Sequence, residues 1–201
     1  MRASGPVYGK TTIGPVRIRL RMVTSVDEVM DAREIYDTVA RRLKRRQIVL
    51  PDPLPPLGIM VETPAAALTA NTMAQHADFM ALGTNDLTMY TLAVDRADSM
   101  VADRYSPLHP AVLQLIALTA ESALRAHRPI SVCGEMASDP RVVALLIGLG
   151  LRSFSMNSDS LPRVKRLIRT LKMEDCDHLR RHVLMETDLA SIQSLIRDFA
   201  L

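Results

Sequence analysis

The chain has 201 residues, 48% hydrophobic and 23% charged, which fits one folded domain, or a large piece of one, at the usual size of about 100–200 residues and rules out disorder as the default. Aromatics are only 3%, with no Trp, which leaves few rings for a base-stacking platform of the kind single-stranded nucleic-acid binders use. A net charge of +3 is too small to imply nucleic acid or a membrane surface as a partner.

Val16 to Met22 reads as a strand in which charge and apolarity alternate. Period two sets Arg17, Arg19 and Arg21 on one face, with Ile18, Leu20 and Met22 on the other. Arginines turned into a packed interior would each need a partner. This strand is therefore predicted to be solvent-accessible on its arginine side, facing water or the carboxylates of a second copy or a partner chain. Ser25 and Glu28 then stand at capping-box spacing, and a helix runs from Ser25 to Gln47. Arg41 to Arg46 could be a phosphate or localisation patch. It reads better as that helix's last turn, where cations complement the macrodipole.

Pro51 to Pro56 is a stiff connector. Leu57 to Glu62 reads as a strand, and Thr63 caps a helix with Pro64 at its first position. Phe79 to Gly83 is the next strand, followed by an irregular stretch to Pro110. A helix from Pro110 to about His127 has His109 at its entry. Ile130 to Gly134 is a strand, Asp139-Pro140 opens a helix, and Ser153 to Met156 is a strand. Pro162 opens a helix to about Lys172, and residues 173–201 read as a helical tail of the same single domain.

Alternating strands and helices predict parallel βαβ units in an α/β fold, and five nearly continuous apolar strands predict a sheet covered by helices. Cys133 and Cys176 are far apart, which excludes a disulfide framework and fits a reducing compartment. The longest apolar run, Val142 to Leu151, holds two glycines and is too short to span a bilayer. The N-terminus has no apolar signal region, so a cytoplasmic location is expected.

Three strands end in polar groups: Glu62, then Thr84-Asn85-Asp86, then Cys133-Gly134-Glu135. In parallel α/β folds the carboxyl ends of strands are where sites are built, above all in (β/α)8 barrels. Glu62 and Asp86 are oxygen ligands suited to Mg²⁺, which takes one or two carboxylates plus substrate oxygens. Each could instead cap the following helix, although for Glu62 that role falls to Thr63. Cys133 is either a buried packing residue or, as a thiol protonated at neutral pH, a general acid. Arg96 either clamps a phosphate or carboxylate, or pairs with Asp95 or Asp98. Cys176 reads as incidental.

The segments Gly58 to Pro64, Gly83 to Thr88, Tyr90 to Arg96, Ser106 to Pro110, Cys133 to Glu135 and Phe154 to Met156 resemble, in order, the phosphoenolpyruvate-utilising enzymes. Tyr90 to Arg96 is most similar to enzyme I of the bacterial sugar phosphotransferase system. Pyruvate phosphate dikinase and phosphoenolpyruvate synthase are the neighbouring alternatives. The resemblance covers about Val16 to Leu171 and implies a phosphoenolpyruvate/pyruvate (β/α)8 barrel, or TIM barrel, of which this sequence holds the last five strands. It implies Mg²⁺ on Glu62 and Asp86, substrate contacts from Asn85, Asp86 and Arg96, and Cys133 as the acid that protonates the enolpyruvate carbon. It implies transfer of the phosphoryl group to a protein histidine, on a phosphohistidine domain and then a small phosphocarrier protein. Against the family pattern the sequence begins at the fourth strand. The first three strands, with their substrate-gripping arginines, and the phosphohistidine domain fall outside it, so the resemblance implies that the first strand here lacks its barrel neighbour and is an open sheet edge that invites pairing with other chains. The chain alone is accordingly expected not to turn over phosphoenolpyruvate. A non-catalytic partner subunit completed by another chain is the alternative. Arg21 stands where Pro is usual before Met22, Met89 where Gln is usual, and Ala97 where Gly is usual.

Overall fold

The computed structural model describes residues 16–95 and 100–199. A first strand β1 (Ile18–Leu20) leads into α1 (Val26–Arg45). Ser25 caps α1 reciprocally: Glu28 N donates to Ser25 Oγ at 3.4 Å, while Glu28 Oε2 accepts from Ser25 N at 3.3 Å. Arg42, Lys44 and Arg45 fill the last turn, as the basic run predicted. Strand β2 (Leu57–Val61) is followed by α2 (Pro64–Leu68) and α3 (Ala70–His76), then β3 (Met80–Gly83) and α4 (Thr84–Leu92). After α5 (Pro110–Arg125) come β4 (Ile130–Cys133), α6 (Glu135–Ser138), α7 (Pro140–Gly148) and β5 (Ser153–Phe154). The chain closes with α8 (Leu161–Ile168), α9 (Met173–Met185) and α10 (Leu189–Phe199).

The five strands are all parallel and lie in the order β1-β2-β3-β4-β5. A doubly wound sheet reverses its strand order at a switch point. Strictly sequential order without reversal is that of a (β/α)8 wall, so the sheet is a partial barrel. Alternation along each strand sorts its residues between two faces. Ile59, Val61, Met80, Leu82, Ile130 and Val132 join the hydrophobic core that the helices share. Gly58, Met60, Ala81, Gly83, Ser131 and Cys133 take the other face, the inner side of the wall.

Two sequence expectations are corrected. The stretch after Gly83 is not irregular throughout, because α4 starts directly off the strand. Strand β1 is shorter than Val16 to Met22, because Met22 turns the chain with φ of +56°. The arginine alternation holds: Arg17, Arg19 and Arg21 are all exposed, and β1 is an edge of the described sheet. The Arg17 guanidinium lies 5.5 Å from the Phe79 ring centroid, across the inner face. Residues 173–199 pack as α9 and α10. Their buried Cys176, Leu179, Val183, Ile192 and Ile196 belong to the same core.

Candidate functional site

Glu62 follows the last residue of β2 and has no exposed surface. Its neighbour Thr63 fixes the turn: Thr63 Oγ1 accepts from Ala66 N at 3.1 Å and donates to Val23 O at 2.8 Å. The cap position is thus filled, as the sequence predicted, and the Glu62 carboxylate is left at the sheet's carboxyl edge. There Arg21 meets it in a fork. Arg21 Nε donates to Glu62 Oε1 at 3.2 Å, and Nη2 donates to Glu62 Oε2 at 3.1 Å. The same Nη2 donates to Asp86 Oδ2 at 2.9 Å. Met22 N–H adds a bond to Glu62 Oε1 at 2.8 Å. Burial alone would push the Glu62 carboxyl up. The Arg21 fork, the Met22 N–H and a hydrogen bond shared with Asp86 outweigh it, holding Glu62 below the usual carboxylate range.

Asp86 sits in the first turn of α4, where a carboxylate suits the helix dipole. Capping and site roles are compatible at this position. Its neighbour Asn85 accepts the Glu135 N–H on Oδ1 at 3.1 Å, and Thr84 Oγ1 donates to Cys133 O at 2.9 Å. These bonds tie the end of β3 to the end of β4. Gly134, at φ of +104°, lets the two ends close together, since a Cβ there would run into Thr84 Oγ1 and Asn85 Oδ1. Cys133 Sγ donates to Leu82 O at 3.2 Å. Burial pushes its thiol pKa up, Glu62 and Asp86 add to this, and Arg19 and Arg21 oppose it. The thiol therefore holds its proton at neutral pH.

Glu62, Asn85, Asp86 and Cys133 line one open cleft of about 260 Å³, together with Arg19 and Arg21. Asn85 and Cys133 also border an adjoining hollow of about 470 Å³, which reaches Ser155 and Asn157 on the β5 side. Four of the five site residues named from the sequence are thus brought together. The fifth, Arg96, lies outside the described residues.

Oxygens of Glu62 and Asp86 converge on one positive centre, the Arg21 Nη2, which stands in for a cation. Among the described residues no cluster of three or more His, Cys, Asp or Glu is arranged to hold a metal. A cation here would take two protein carboxylates and fill its remaining positions from water or ligand, the habit of Mg²⁺. The residues fit that group. Arg21 itself was not named from the sequence as a site residue. The signal was its place in the arginine alternation, where the family pattern has Pro.

Comparison with known proteins gives a consistent picture. Residues 5–173 match the family model described as PEP-utilising enzyme, PEP-binding domain. A phosphoenolpyruvate-protein phosphotransferase of Haemophilus influenzae is 37% identical over 195 residues, covering 97% of this chain and 34% of that protein. One of Cupriavidus necator is 42% identical over 190 residues, covering 94% of this chain and 32% of that protein. The phosphoenolpyruvate-dependent phosphotransferase system protein of Salmonella typhimurium is 44% identical over 171 residues, covering 85% of this chain and 23% of that protein. The chain spans about a third or less of the length of these curated relatives. Among solved structures, a citrate lyase of Burkholderia xenovorans superposes with a TM-score of 0.56 at 17% identity, covering 93% of this chain and 64% of that one. That likeness concerns the fold alone. Among the described residues no helix is long and apolar enough to cross a membrane.

Proposed function

The chain belongs to the PEP-utilising enzyme family by its PEP-binding domain, and from that premise we propose that it is the phosphoenolpyruvate-binding barrel portion of a phosphoenolpyruvate–protein phosphotransferase. The reaction is phosphoryl transfer to a protein histidine, on a phosphohistidine domain that passes it to a small phosphocarrier protein, in cytoplasmic sugar phosphotransferase transport. The observation that carries this reading is the convergence of Glu62, Asn85, Asp86 and Cys133 on one cleft at the ends of three neighbouring parallel strands.

In this reading Glu62 and Asp86 would hold Mg²⁺, and Asn85 and Arg96 would orient phosphoenolpyruvate. When bound, the metal supplies positive charge that offsets the negative charge developing on the substrate oxygens. The phosphorus–oxygen bond breaks, the phosphoryl group goes to the histidine nitrogen, and pyruvate leaves as its enolate. Cys133 Sγ gives its proton to the enolate methylene carbon, completing pyruvate. A thiol pushed up by burial suits an acid that must stay protonated until the carbanionic carbon forms.

The test is calorimetric titration of phosphoenolpyruvate into the purified chain, with and without Mg²⁺. Binding should require the metal and weaken by about tenfold or more in Asp86→Asn, the loss of one charge-assisted contact. Metal-independent binding that Asp86→Asn leaves unchanged would overturn the reading.

A further inference from the structure

Arg21 lies where a bound cation would lie. Its Nη2 is 3.1 Å from Glu62 Oε2 and 2.9 Å from Asp86 Oδ2, and Nε closes the fork on Glu62 Oε1 at 3.2 Å. We propose that Arg21 is a built-in counter-cation of the cleft, which a divalent cation must displace before it can bind Glu62 and Asp86. This rests on the reading of those two carboxylates as metal ligands.

Three observations carry the inference. First, one nitrogen already collects an oxygen from each carboxylate, so a metal bridging the same pair competes for the same volume and the same charge. A divalent cation with oxygen ligands at about 2.0–2.1 Å leaves no room for a guanidinium in the same fork. Second, the arrangement is built for exchange. Glu62 is fully buried, whereas the Arg21 side chain is 61% exposed, so the carboxylate stays while the guanidinium can swing into water. Third, Glu62 has an anchor that does not depend on the Arg21 side chain, the 2.8 Å bond from the Met22 backbone N–H. The other arginines of the same face do not share the role. Arg17 sits over the Phe79 ring, and the Arg19 side chain makes no hydrogen bond or ion pair among the described residues. Only the third arginine of the alternation reaches the carboxylates.

Removing the guanidinium should therefore tighten metal binding. The experiment is titration of the whole chain with Mn²⁺, free metal being counted by electron paramagnetic resonance, on wild type, Arg21→Ala, Arg21→Gln and Asp86→Asn. Arg21→Ala and Arg21→Gln should each bind Mn²⁺ about tenfold more tightly than wild type, since a positive charge a few ångströms from the cation is gone. Thermal melts give a second readout. Without metal, Arg21→Ala should melt below wild type, because buried Glu62 loses the guanidinium fork that offsets its charge beside Asp86. Added Mn²⁺ should raise its melting temperature by more than it raises that of wild type. Arg21→Gln guards against an alanine variant that does not fold. Equal or weaker Mn²⁺ binding in the folded Arg21 variants, with binding lost in Asp86→Asn, overturns the counter-cation and leaves the metal site standing. Absence of Mn²⁺ binding in every variant, or binding that Asp86→Asn does not weaken, overturns both.

Discussion

Gly83 lies directly against Glu62: a Cβ built on Gly83 would stand 2.9 Å from both Glu62 Cβ and Glu62 Oε2. The glycine at the end of β3 thus sets where the carboxylate at the end of β2 can rest. Gly83→Ala must push the Glu62 side chain off its bonds to Arg21 and Met22, or part the two strands. Overpacking of this kind destabilises by about 1–3 kcal/mol. The variant should unfold at lower urea and bind Mn²⁺ more weakly than wild type. Wild-type values for both would mean that Gly83 does not position Glu62.

The Glu62 carboxylate should also make stability depend on acid. Its folded pKa lies below the ordinary 4.5, so the unfolded state binds the proton more readily. The stabilisation is then fully present above the ordinary value and lost as pH falls through the lower folded one. Glu62→Gln keeps the shape but removes the charge. It should cost about 1–3 kcal/mol at pH 7, the range for disrupting a buried charged hydrogen-bond set. That difference should shrink as the urea titration is repeated at pH values descending through the carboxylate range. A penalty that stays constant with pH would assign it to packing instead of charge.

The end of β2 was legible because its apolar run stops at Glu62 beside the Thr63 cap. Thr63-Pro64 and Asp139-Pro140 both start helices as read, and Ser25 caps with Glu28. Helix α4 was not legible. It leaves β3 with no side-chain cap, and its threonines bond backward, Thr88 Oγ1 to Thr84 O at 2.7 Å and Thr91 Oγ1 to Leu87 O at 2.6 Å. β-Branched residues with that habit weaken the helical signal. Arg21 was legible only by its face. Alternation along a strand says which side a residue takes. It does not say that the guanidinium will reach carboxylates 41 and 65 positions away in sequence.

The two cysteines should react very differently with iodoacetamide. Cys176 is fully buried, and Gly148 of α7 packs against its backbone, so it should stay unlabelled until the chain unfolds. Cys133 borders the open cleft but keeps its proton, because burial raises its pKa. Its labelling should be slow at pH 7 and climb with pH, with a midpoint above the ordinary thiol value. The raised pKa also means that its contribution to stability is present below the unfolded value and lost as pH rises through the folded one. Mass spectrometry of the labelled peptides reads both sites. Rapid Cys133 labelling at pH 7, or labelling of Cys176 in the native chain, contradicts these assignments.

Gly134 should be sensitive to substitution although it carries no functional group. Its backbone, at φ of +104° and ψ of −177°, lies in a region that is essentially reserved for glycine. A Cβ there would also collide with Thr84 Oγ1 and stand 2.8 Å from Asn85 Oδ1. Those atoms make the bonds that tie β3 to β4, to Cys133 O and from Glu135 N. Gly134→Ala therefore meets backbone strain and steric displacement together, a destabilisation of about 2–4 kcal/mol. The displacement falls on Asn85 and Cys133, so the effect should outlast the loss of stability. At a temperature where circular dichroism shows the variant folded, Mg²⁺-dependent phosphoenolpyruvate binding should still be reduced by about tenfold or more. Thr84→Ser is the control, since it keeps the hydroxyl bond to Cys133 O and should retain binding close to wild type. A folded Gly134→Ala chain with wild-type phosphoenolpyruvate affinity would show that the close approach of the two strand ends plays no part in holding the site.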